Sequence, residues 1–187
     1  LYFNRLAQRV TAALSVPTSE GALYEVDTRL RPQGAQGPLA VSLASFGRYQ
    51  REEAWTWEHM ALTRARPMFG TDPDRASLLA LLQDILRLPR DPDRLRADVL
   101  AMRVEMAAHK APASELDVKL LRGGLVDLEF MVHYLQLRDA AALQPHLPQA
   151  IAELAGRGEL PVALVDHHAV LTRVLVAQRL FAPAGDI

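Results

Sequence analysis

Leu23-Tyr24-Glu25-Val26-Asp27-Thr28-Arg29-Leu30-Arg31-Pro32 alternates charged residues with apolar or neutral ones. Successive side chains of a strand point to opposite faces, so Glu25, Asp27 and Arg29 would share one face and Tyr24, Val26, Thr28 and Leu30 the other. The pattern predicts a strand over 23–30 with its apolar side turned inward. A carboxylate on a strand beside a guanidinium suits metal-assisted phosphoryl or nucleotidyl transfer, because Mg²⁺ takes hard oxygen ligands and a triphosphate needs fixed positive charge. On spacing alone the plainer reading is the stronger: a half-exposed strand of an antiparallel sheet.

Working outward, Phe3, Leu6, Val10 and Ala13 recur at helical spacing and predict a helix from Tyr2 to about Leu14, stopped before Pro17. Thr18, Ser19 and Gly21 turn the chain into the strand. Downstream, 33–38 reads as a flexible loop, and Ser42 or Ser45 can cap one long helix reaching about Arg66. Pro67, Gly70 and Pro73 interrupt the chain. Asp91-Pro92 is a cap followed by proline, and Leu95, Val99, Met102 and Met106 make the stripe of a bundle helix. After Pro112, 117–121 reads as extended. Gly123-Gly124 then opens a helix with the stripe Leu125, Leu128, Val132 and Leu135, and two more helices follow over about 148–155 and 161–181. The predicted architecture is mostly α with a small α/β part: an α/β piece over 1–68 and a helical bundle over 72–187.

With 187 residues, 50% hydrophobic and 23% charged, the chain can bury a core, and a formal net charge of -1 argues against a general nucleic-acid binder. It has no cysteine, which excludes disulfides, zinc-thiolate sites and thiol catalysis and is compatible with the cytoplasm. No stretch has the length of a membrane span. The opening LYFNRLAQRV reads as the inside of a helix rather than a secretion signal, as in a piece of a larger protein.

Three separated words sharpen the functional reading: YEVDTRLRPQGAQGPLAVS over 24–42, AWTWEHMALTRAR over 54–66 and DVKLLRGGLVDLEFMVHYLQLR over 117–138. Together, from about Tyr2 to at least Arg138, they resemble the glutamine synthetase adenylyltransferases, the bifunctional adenylyltransferase and adenylyl-removing enzymes, and the AWTWEH form is similar to their C-terminal, adenylylating half. The resemblance implies a partial polymerase β-like nucleotidyltransferase domain, in which three carboxylates hold two metal ions. Two of these come from a Gly-Ser followed by Asp-x-Asp, and the third from a later strand. Asp27 matches that third carboxylate, catalytic and metal-binding. The first pair is not found: there is no Gly-Ser dipeptide, and it would lie before Leu1. The chain by itself is therefore expected to be inactive, since a lone carboxylate holds Mg²⁺ weakly.

The resemblance further implies ATP and Mg²⁺ or Mn²⁺, transfer of AMP to a tyrosine of glutamine synthetase, and regulation through PII signal protein and glutamine. The competing readings are a non-enzymatic helical module that binds PII or glutamine synthetase, and a related uridylyltransferase. For Asp27 the alternative is a surface ion pair with Arg29, its neighbour two residues on. Arg29 and Arg31 would form a positive fork for phosphate, or pair structurally with Glu25 or another acid. Trp55, Trp57 and His59 spread around a helix, two for the core and one for the rim of the site, with Glu58 available to orient Arg29 or Arg31. Arg64 and Arg66 need no ligand at a helix end.

Around Gly123-Gly124, free N–H groups at a helix start could hold an anion, with Lys119 as a nucleotide contact. Asp127 would stabilise the first turn with no ligand, and Glu129 would face away from it. The six histidines make no metal site and read as surface or capping groups. A strand left short of neighbours also predicts dimerisation of the fragment or altered local structure over 1–35.

Overall fold

The computed structural model describes residues 2–19, 21–22, 24 and 26–181. The chain is mostly α with a small α/β part. It divides into two compact units, Leu1–Glu58 and His59–Ile187.

In the first unit, α1 (Tyr2–Ser15) forms where the apolar spacing places it and stops before Pro17. Its stripe of Phe3, Leu6 and Val10 is exposed rather than buried. The helix is held instead by Asn4, whose side chain donates to the Ala40 carbonyl (3.3 Å) and accepts from the Ala40 N–H (3.0 Å). Two short strands, β1 (Pro17–Thr18) and β2 (Gly21–Ala22), pair antiparallel with Thr18 opposite Gly21. Gly21 has φ +94°, a left-handed turn conformation that glycine adopts without steric cost.

The strand predicted over 23–30 is not formed at Tyr24 or over 26–30; Leu23 and Glu25 lie outside the described residues. The Asp27 carboxylate accepts the N–H of Arg29 at 2.9 Å, a side-chain turn that competes with extended backbone. A ladder partner is what would win that competition, and among the described residues the ladder ends at Ala22.

Nor is the span from Ser42 to Arg66 one helix. Ser42 does cap α2 (Leu43–Glu52), accepting from the Ser45 N–H at 3.2 Å. The chain then breaks and restarts as α3 (Thr56–Leu62). Glu58 makes the restart: its carboxylate accepts the Trp55 N–H at 2.9 Å and the Tyr49 hydroxyl at 3.0 Å. An acid three residues into a helix that caps the preceding N–H is half of a capping box. With 6% exposure, Glu58 is a buried acceptor. Glu58→Ala would strand both donors and should cost about 1–2 kcal/mol in a urea melt, with Glu58→Gln recovering part of it.

The second unit is a bundle. Thr71 and Asp74 form a reciprocal capping box at the start of α4 (Asp72–Leu86), and Asp91 caps α5 (Pro92–His109). Leu95 and Val99 are buried and Met102 is half-buried, as their stripe predicts. α6 (Leu125–Asp139) is the central element. Its predicted stripe, Leu128, Val132 and Leu135, meets Ile151 and Leu154 of α7 (Leu147–Gly156) in one core. Leu137 joins Met60, Leu86, Leu95 and Val99 in a second core. A side chain of this size, fully buried, contributes about 1.5–3 kcal/mol. α8 (Ala163–Phe181) packs on α6 and α7.

At the end of α6 the backbone turns left-handed at Ala140 (φ 50°) and again at Ala142 (φ 51°). Among the described residues no helix is long and apolar enough to cross a membrane.

Candidate functional site

The Asp27 carboxylate and the Arg29 guanidinium face each other in a bidentate pair, Nε at 3.0 Å from both oxygens and Nη2 at 2.6 Å from Oδ2. Both side chains are largely exposed. Hydrogen bonds from Arg29 hold the Asp27 pKa down at about 2, so the group is a carboxylate throughout the physiological range. It stands on irregular chain rather than on a strand.

Arg31 does not join Arg29 in a positive fork. Its guanidinium turns back on its own loop, donating to the Thr28 hydroxyl (2.9 Å) and to the carbonyls of Gly37 (3.0 Å) and Ala35 (3.2 Å). The loop 28–37 is closed around it, which loop composition did not foretell. Glu58 orients neither arginine, being engaged by Tyr49 and Trp55. Trp55 and Trp57 are 71% and 41% exposed, so the expectation of two core residues in this word fails for the tryptophans. The break before α3 puts them at the mouth of a new helix instead of inside a long one.

As a metal centre, Asp27 has one carboxylate to offer, already shared with Arg29. Among the described residues no group of three His, Asp or Glu side chains converges. Mg²⁺ requires near-octahedral oxygen ligation, so these residues by themselves do not make a site for it.

The second constellation lies in the bundle. Segment 117–121 is a set of turns rather than extended chain, because the Asp117 side chain accepts the N–H groups of Ala113, Lys119 and Leu120, each at 3.0 Å. Burial opposes ionisation of Asp117, but these donors outweigh it and hold its pKa below the ordinary carboxylate value. The turns bring carbonyls onto the start of α6: Leu125 N–H donates to Val118 (2.9 Å), Val126 to Lys119 (3.1 Å) and Gly124 to Leu121 (2.9 Å). The Gly123 N–H donates to Asp127 at 2.6 Å. The N–H groups of residues 123–126, which could have received an anion, are thus satisfied internally.

Asp127 also accepts from Arg103 of α5, which in turn donates to the Leu120 carbonyl at 3.1 Å. Sequence pattern alone does not single out Arg103, although it stands four residues after Val99 and hence beside the buried stripe. Lys119 is exposed. Arg64 lies beyond α3, which ends at Leu62, rather than closing a helix, and it pairs with Glu129 at 3.7 Å.

His133 is neither a surface nor a capping group. It is 7% exposed, with Nδ1 at 2.8 Å from Thr63 Oγ1 and 3.1 Å from Gln136 Oε1. Thr63 donates its hydroxyl hydrogen to the Met60 carbonyl (2.7 Å), and Gln136 donates Nε2–H to the Ala142 carbonyl (2.7 Å). Both oxygens are therefore acceptors towards His133, which fixes its proton on Nδ1. A signal was present: Val126, Phe130, His133 and Leu137 form a second helical stripe on α6.

A sequence profile of the family described as Glutamate-ammonia ligase adenylyltransferase matches residues 1–80. Among curated relatives, the bifunctional glutamine synthetase adenylyltransferase/adenylyl-removing enzyme of Brucella suis is 52% identical over 136 residues, 73% of this chain and 14% of its own length. That of Agrobacterium fabrum is 51% identical over the same shares, and that of Caulobacter vibrioides 46% identical over 162 residues, 84% of this chain and 16% of its own. The chain thus spans about one seventh of the length of the relatives it matches. Identity near one half, running from the profile-matched segment well into the bundle, places the chain in the glutamate-ammonia ligase adenylyltransferase family.

Proposed function

We propose that this chain is part of the adenylylating, C-terminal half of an enzyme that transfers AMP from ATP to a tyrosine hydroxyl of glutamine synthetase in the cytoplasm. In that reaction the tyrosine oxygen bonds to the α-phosphorus, the bond from the α-phosphorus to the bridging oxygen breaks, pyrophosphate leaves and the hydroxyl proton is released. The observation that carries this reading is the word around Asp27, a permanently ionised and accessible carboxylate within the segment that the family profile matches. Asp27 supplies one carboxylate to a Mg²⁺ or Mn²⁺ site whose remaining acids come from elsewhere in the full-length protein. Arg29 stands beside it for the phosphates of ATP, and Arg31 acts by shaping the loop that carries both. Lys119 is a further nucleotide contact. PII protein and glutamine act on the full-length enzyme, and this chain alone is inactive.

The test is AMP transfer from labelled ATP to glutamine synthetase by the full-length protein and its Asp27→Asn variant. Loss of a metal carboxylate removes several kcal/mol of transition-state stabilisation, so activity should fall by about 10³-fold with the circular dichroism unchanged. Undiminished transfer by Asp27→Asn would make Asp27 structural. Transfer by the 187-residue chain alone would overturn the split site.

A further inference from the structure

The bundle carries a surface that the proposed chemistry does not use. α5 shows two apolar stripes, and the second, Leu100, Val104 and Ala107, points away from the core. Leu100 and Val104 are 56% and 70% exposed. This stripe walls an open trough of about 650 Å³ against α6. On the other side of α6, Val170 and Leu171 of α8 wall a second trough of about 450 Å³. The two linings share Asp127 and Met131, so two almost wholly carbon-lined troughs run side by side along α6, between α5 and α8, with Met131 standing between them. From Arg96 to Ala107 the face runs about 17 Å, three turns of helix. Three helices that each turn a helical-period apolar stripe to these adjoining troughs present the seat that a bundle gives to a fourth helix.

Charge identifies the occupant. The rim on the α5 side holds Arg96, Arg103 and Arg122 against a single acid, Asp127. Asp127 is already engaged by Arg103 and the Gly123 N–H. Among the described residues, no ion pair engages Arg96 or Arg122.

We infer that this face docks an amphipathic helix whose apolar stripe covers Met131 and whose polar flank is acidic. Apolar contact with Met131, Leu100 and Val104 supplies the seat, and the two arginines set direction and discriminate against basic helices. The flexible thioether of Met131, between the two troughs, adapts to an irregular apolar stripe.

The experiment uses the 187-residue chain and two fluorescein-labelled amphipathic peptides of about 18 residues with identical leucine stripes, one flanked by glutamate and one by lysine. Fluorescence anisotropy should show the glutamate peptide binding at least about tenfold more tightly, with affinity falling as ionic strength rises. Val104→Glu and Met131→Glu should each weaken it about tenfold or more. Both side chains are at the surface, and circular dichroism confirms that the variants stay folded. The double variant Arg96→Glu, Arg122→Glu should invert the preference in favour of the lysine peptide. Equal binding of the two peptides, absence of binding, or binding indifferent to Met131→Glu would overturn the inference. So would concentration-dependent dimerisation abolished by Met131→Glu, which would assign the face to a second copy of the chain.

Discussion

Gly124→Ala is expected to lower the midpoint of thermal unfolding by roughly 6–12 °C, from an overpacking cost of about 3 kcal/mol. The backbone at Gly124 has φ -78° and ψ -170°, which any residue adopts, so conformation does not demand glycine there. Space does. A Cβ would stand 2.6 Å from the Val118 carbonyl oxygen, 2.9 Å from that of Leu121 and 3.2 Å from that of Lys119. These are backbone atoms that cannot swing aside like a side chain. Moving them breaks the bonds from Leu125 and Val126 that close the start of α6, and loosens the turns that Asp117 organises. Gly123 gives the control with the opposite logic. Its φ of +82° is left-handed, but nothing lies within 4 Å of a Cβ there. Gly123→Ala should therefore cost only the conformational penalty, about 1–2 kcal/mol. Calorimetry on the two variants checks the order, and a Gly124→Ala protein that melts with wild type would show that the 117–124 turns do not close over the helix.

Acidification should cost this fold about as much through one side chain. Burial pushes the His133 pKa down from 6.5 to about 4, against the bond to Gln136, which favours the charged form. Its folded value is depressed, so the folded protein holds the imidazole neutral. Below pH 6.5 the unfolded chain takes up a proton that the folded chain refuses until about pH 4. Stability from this group is thus complete above pH 6.5 and is lost progressively as the pH falls towards 4, by roughly 3 kcal/mol in all. Urea unfolding at pH 7.5, 6 and 5 measures it in a range where ordinary carboxylates titrate little. His133→Asn keeps an N–H donor near Nδ1 without a titrating group. It should be less stable at pH 7.5 yet flatter in its dependence between pH 7.5 and 5. An unchanged slope in that variant would place the acid sensitivity elsewhere.

Much of the helical framework could be read from local chemistry. The apolar stripes of α5 and α6, the Ser42 and Asp91 caps and the prolines in the first turns of α5 and α7 all act within a turn or two of where they stand. What sequence did not disclose was decided over longer distances or by side chains binding backbone. The alternation over 23–30 is a necessary condition for a strand, but a ladder needs a neighbour, and alternation contains no information about one. Asp27 and Arg29 bend the same residues by bonding each other, the plainer alternative that their i, i+2 spacing had offered. The break at 53–55 depends on Glu58 reaching back to Trp55, and helical periodicity across 43–62 does not register it. At the candidate site, residue types were legible while their allegiances were not. Arg31 carries the charge expected of a phosphate ligand yet serves carbonyls, and the glycine pair at α6 accommodates backbone carbonyls in place of an anion.

The left-handed alanine that ends α6 leaves room for protein engineering. Glycine is the usual residue in that conformation, and an alanine there forgoes about 1 kcal/mol that the rest of the bundle must offset. Ala142, buried in the core and tied by its carbonyl to Gln136, is bound to its place by packing. Ala140 is only half-buried. A sequence optimised for robustness rather than for its natural duties would begin by changing that residue, and the distance still to be gained there is a measure of how little surplus selection has required of this bundle.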